Sequence, residues 1–79
     1  MHPDYLIKMA NEIAAFFAGE SGPSRAPKDV VTHLKKYWDP RMRREMVAHY
    51  RKGGAGLSEV ALAAAALLAT ENASAGSLP

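Results

Sequence analysis

The reactive side chains of this 79-residue chain are few, and their spacing limits the chemistry they could support. There is no Cys, which removes thiolate nucleophiles, disulfides and thiolate metal sites. Ser21, Ser24, Ser58, Ser74 and Ser77 fall in expected loops, caps or the tail, and none stands in a Gly-x-Ser-x-Gly elbow. His33 follows Asp29 by four residues and His49 follows Glu45 by four, so each pair could offer two metal ligands on one helix face. Two ligands do not make a site, no third is evident, and a packed or partner-facing His is the plainer reading. Met42 and Met46 could suggest soft-metal binding, but on an apolar stripe they read more simply as core or adaptable interface. Gly53-Gly54-Ala55-Gly56 has no strand before it and no Gly-Lys-Ser/Thr after it, so it reads as a helix stop and turn. No catalytic, cofactor-binding or metal-ligating set is expected.

The densest run, Lys35-Lys36-Tyr37-Trp38-Asp39-Pro40-Arg41-Met42-Arg43-Arg44, points to binding instead. Trp, Tyr and Arg are the residue types that anchor interfaces. Trp38, Asp39, Pro40, Arg41, Met42, Arg43, Arg44 and Tyr50 are therefore the candidate partner-binding residues. Trp38, Asp39 and Pro40 would fix a corner, with Trp38 itself in the core. Arg41, Arg43 and Arg44 would meet acidic groups or backbone carbonyls, which the planar guanidinium suits. Residues 25–52 hold nine basic and three acidic side chains, and acidic residues outnumber Lys8 elsewhere. A helix-turn-helix reading, with Pro40 to Tyr50 as the recognition helix, is the alternative. The cramped link, the missing turn Gly and the acidic flanks weigh against it.

Four segments must position these residues. Asp4 to Ala18 carries Leu6, Met9, Ala10, Ile13, Phe16 and Phe17 at three-and-four spacing, which predicts an amphipathic helix ending near Gly19. Glu20 to Pro27 reads as a loop. Pro27 opens a second helix whose stripe is Val30, Val31, Leu34, Tyr37 and Trp38. Pro40 forbids its continuation, and Asp39 is placed to cap a third helix over roughly Pro40 to Lys52. Ser58 caps a fourth, from about Glu59 to Thr70, with Leu57 and Leu62 spaced as a hydrophobic staple. That last helix is apolar all round. Such a helix is normally buried on every side, and three short helices do not readily surround it, so the run suggests a partner surface. Exposed Ala is the bland alternative. Residues 1–71 thus form one small all-α domain of three to four helices, with a disordered tail over 72–79.

Composition narrows the class. Hydrophobic residues make up 48% of the chain, but 15 of them are Ala, so the core is under-filled for a chain with no disulfide. Help from a partner or a second copy is expected. Val60 to Ala69 reaches about 15 Å as a helix, half a bilayer core, so no membrane span is expected. Met1-His2-Pro3-Asp4 does not resemble a secretory signal, and a cytoplasmic location is the expectation.

Three blocks together resemble the delta subunit of NAD-dependent molybdenum- or tungsten-containing formate dehydrogenases. They are Leu6 to Phe17 (LIKMANEIAAFF), His33 to Arg44 (HLKKYWDPRMRR) and Gly53 to Leu57 (GGAGL). The Trp-Asp-Pro-Arg-Met-Arg run is the specific one. Family members often follow the Gly-Leu with a Pro and a more charged last helix, where this chain has Ser58-Glu59-Val60 and an Ala-rich run. The resemblance implies a small non-catalytic subunit that binds none of the cofactors itself. It would attach to the alpha subunit within an alpha-beta-gamma-delta assembly and support assembly, stability or cofactor insertion. In that family the alpha subunit carries a molybdopterin cofactor and iron–sulfur clusters, and beta and gamma pass electrons through FMN and further clusters to NAD. A transient assembly chaperone of the same enzyme is the neighbouring reading. Self-association of the isolated chain, along the fourth helix, is a further expectation.

Overall fold

Four helices follow one another as α1 (Pro3–Ser21), α2 (Ala26–Tyr37), α3 (Pro40–Arg51) and α4 (Glu59–Ser77) in a computed structural model that describes residues 3–77, with side chains described over residues 4–71. No strand occurs among the described residues, so the all-α class expected from the periodicity is the class observed. α1 and α2 run antiparallel: Ser21 donates its hydroxyl hydrogen bond to Asp29, and one turn deeper Phe17 meets His33.

Local chemistry sets most boundaries. Asp39 takes an extended conformation (φ −73°, ψ 165°), and its carboxylate accepts from the Met42 amide at 2.9 Å, with Pro40 opening α3 as expected. Ser58 Oγ accepts from the Ala61 amide at 3.2 Å and caps α4. α1 outruns its expected end at Ala18. Gly19 stays helical, and the chain leaves the helix at Gly22, whose φ of 82° suits glycine. The loop expected over Glu20 to Pro27 is correspondingly shorter. As backbone, α4 continues past the expected Thr70; the tail expected over 72–79 lies outside the residues whose side chains are described.

α4 answers the question its composition raises. Ala61, Ala64, Ala65, Leu68 and Ala69 are all buried, and α4 packs against α1, α2 and α3. Ala residues on several sides let three helices approach closely around it. The wholesale partner surface expected of this run is thus mostly internal core, with Leu62 and Leu67 exposed and Val60, Ala63 and Ala66 half-buried. The rest of the core comes from Leu6, Ala10, Ala14, Val30, Val31, Leu34, Trp38, Met46 and Val47. Two expected core residues are elsewhere: Phe16 is 60% exposed and Tyr37 is 66% exposed. Each lies at the margin of its helix's apolar stripe, beyond the reach of the neighbouring helices.

The turn between α3 and α4 depends on distant residues. Asn11 on α1 donates to the Gly56 carbonyl and accepts from the Ser58 amide, both at 2.8 Å. His49 Nε2 meets the Ala55 carbonyl at 2.7 Å. Gly54 is buried with φ 67°, and a Cβ there would overlap Leu62 Cδ1.

Candidate functional site

The α2–α3 corner is built outward from Trp38. Its backbone turns extended (φ −92°, ψ 138°), while its amide still bonds the Leu34 carbonyl at 2.9 Å. The indole is 5% exposed and belongs to the main core, so it anchors the corner from inside. Asp39 and Pro40 follow at the surface. Because Asp39 caps α3 and Pro40 has a fixed φ, the first turn of α3 starts in one orientation.

That first turn displays the cations. Arg41 projects with 80% of its side chain exposed and lies 3.9 Å from the Glu45 carboxylate, a loose i,i+4 pair. Arg44 is exposed and makes no ion pair among the described residues. Arg43 is half-buried; its Nε is covered and finds no acceptor, and Glu45 Oε2 is likewise covered without a donor. Asp39, Arg41, Met42 and Glu45 line a shallow groove of about 200 Å³. Met42 is half-buried, packs against the core and lines this groove. Tyr50, also half-buried against the core, stands near the other end of α3, about 12 Å along the helix from Met42, so the structure does not bring it to the corner. The corner therefore unites Asp39, Pro40, Arg41, Arg43 and Arg44 at the surface, with Trp38 beneath. An outward-facing row of guanidiniums on a rigid turn can bind carboxylates or carbonyls by directed hydrogen bonds.

The other motifs resolve into structure. Asp29 is tied to Ser21, and the His33 ring sits between Phe17 and Tyr37. Met46 is fully buried, and the Gly53–Gly56 segment is the turn that Asn11 and His49 hold. No group of three or more His, Asp or Glu among the described residues could hold a metal ion. No helix is long and apolar enough to cross a membrane, among the described residues. Asn11 is the residue the sequence pattern did not single out. It bridges to positions 45 and 47 residues away, and no local periodicity carries such a signal.

Neither a curated protein nor a solved structure matches the chain. The model of one protein family, the NADH-dependent formate dehydrogenase delta subunit FdsD, matches residues 5–65. That span takes in α1, α2, the Trp38–Arg44 corner, α3, the glycine turn and the first part of α4. By this match over most of its length, the chain belongs to the family of formate dehydrogenase delta subunits.

Proposed function

We propose that the chain acts as a non-catalytic accessory subunit that docks on the catalytic alpha subunit of a cytoplasmic formate dehydrogenase and supports its assembly, stability or cofactor insertion. The α2–α3 corner is the docking element in this reading. One observation carries it: Arg41 and Arg44 project into solvent from a turn made rigid by buried Trp38 and by the Asp39 cap. Such an arrangement spends little conformational entropy when it meets an acidic or carbonyl-rich surface. Trp38, Asp39 and Pro40 position, Arg41 and Arg44 bind, and Arg43 joins them at the edge, with Met42 bordering the contact. The chain binds no cofactor itself, and the molybdopterin, iron–sulfur, FMN and NAD chemistry resides in its partners.

The test is charge reversal. Arg41→Glu with Arg44→Glu is expected to weaken binding to purified enzyme complex lacking this chain by at least about tenfold, since truncating interface Arg residues often costs over 1 kcal/mol. Helicity by circular dichroism should be unchanged. Equal binding by the double variant would refute the docking role of the corner.

A further inference from the structure

A second surface stands apart from the arginines. Phe16 and Phe17 meet edge to face with centroids 5.1 Å apart. Phe17 meets His33 at 5.9 Å, and His33 meets Tyr37 at 4.6 Å. The rings form one continuous ridge across α1 and α2, and its two ends are the most exposed large apolar side chains on that side. Phe16 is 60% and Tyr37 66% exposed. Tyr5, 59% exposed, precedes Phe16 by eleven residues, so at about 100° per residue it lies on the same side of α1. The opposite side of α1 carries Asn11, which grips the glycine turn. At the far end of the ridge the Lys36 ammonium sits 5.6 Å from the Tyr37 centroid, one residue before the corner begins.

Isolated exposed apolar residues need no explanation, but a connected row of rings does. The two exposed rings of the ridge, Phe16 and Tyr37, present about 250 Å² in all, taking roughly 200 Å² for a whole aromatic side chain. That is about a third of the roughly 800 Å² per partner found in stable interfaces. Two such convex ridges placed against each other would bury less than this, so a second copy is a poor occupant. A concave partner that wraps the ridge and also reaches the adjoining cationic corner can attain the full size. Charge narrows its rim: with Lys36 over Tyr37 at the end that leads into the cationic corner, the groove should end in carboxylates.

We infer that the Phe16–Phe17–His33–Tyr37 ridge is a docking surface for an apolar groove, carboxylate-rimmed at the Lys36 end, on a larger subunit of the enzyme complex. This rests on the docking reading above and adds to it the apolar half of the interface. The arginines would then supply direction at one end, while the rings supply the buried anchors.

The test uses purified enzyme complex lacking this chain and the purified full-length chain, with binding followed by biolayer interferometry. Phe16→Gln combined with Tyr37→Gln is expected to weaken binding about 100-fold or more, at roughly tenfold or more for each lost anchor. Leu67→Gln, partly exposed on α4 away from the ridge, should bind as wild type. Lys36→Glu leaves the core untouched, since Lys36 is exposed and, among the described residues, meets only the Tyr37 ring, and should weaken binding several-fold, which keeps the test decisive if the ring variant folds poorly. Wild-type affinity in both the ring variant and Lys36→Glu would overturn the ridge assignment while leaving the corner standing. Failure of the wild-type chain to bind at all would remove the docking reading and the ridge with it. A dimer of the free chain that the ring variant abolishes, with binding to the complex intact, would give the ridge to a second copy and also overturn the inference.

Discussion

Removing Trp38 tests the logic of the corner most severely. The side chain is 5% exposed and packs into the core that α1, α2, α3 and α4 share. Trp38→Ala deletes the largest side chain of that core, and such truncations cost about 3–5 kcal/mol in lost burial and residual cavity. A domain of this size has only about 4–12 kcal/mol of stability in total, at 0.05–0.15 kcal/mol per residue. The Ala-rich core places it toward the lower end of that range, so the substitution consumes about half of the stability or more. At about 4–8 °C per kcal/mol for a chain of this length, the melting temperature should fall by some 12–40 °C, or no cooperative transition should remain. Trp38 is the only Trp, so intrinsic fluorescence is lost with it, and far-UV circular dichroism in a thermal and urea series is the assay. The control is Arg44→Ala, which sits in solvent a turn away and should change stability by less than about 0.5 kcal/mol. A Trp38→Ala melting temperature within about 4 °C of wild type would refute the view that a buried indole holds the corner.

Two further perturbations probe the scaffold behind the site. Gly54→Ala places a Cβ against Leu62 at a backbone φ of 67°, and should cost about 2–3 kcal/mol by chemical denaturation. Unchanged stability there would mean the turn is looser than its packing implies. Asn11→Ala removes both hydrogen bonds that tie α1 to the Gly56–Ser58 backbone, and should cost about 1–2 kcal/mol, because these groups are partly solvated. Amide exchange at Ser58 should speed up in the same variant, and retained protection would argue against the clasp.

The corner was legible in the sequence because its causes are local. Pro40 cannot continue α2, Asp39 is a helix-capping residue three before Met42, and both effects act within a few residues. Ser58 and its cap on α4 were readable for the same reason. The end of α1 was less so: Gly19 is a weaker helix former than its neighbours but not a stop, and the true exit is set at Gly22 by its positive φ. α4 could not be placed by pattern, since a helix with apolar residues all round has no face to read. Its burial became clear only when the other three helices closed on it. Phe16 and Phe17 illustrate the remaining gap. Adjacent residues on a helix point about 100° apart, and which one turns inward depends on the path of α2. The structure packs Phe17 against the core and leaves Phe16 outside. For the candidate site, the residue types of the arginine cluster were visible in the sequence. The division of labour was not: Arg41 and Arg44 outward, Arg43 half-covered and Trp38 beneath follow from the helical phase after the cap.

Docking of this delta subunit family member on the enzyme through the proposed α2–α3 corner is open to a direct measurement. Native mass spectrometry of purified complex lacking the chain, mixed with the 8.5 kDa protein, tests it most directly. A stoichiometric mass gain of one chain per catalytic subunit is expected, lost when Arg41 and Arg44 are both changed to Glu. No mass gain with the wild-type chain, or an equal gain with the charge-reversed one, would contradict it.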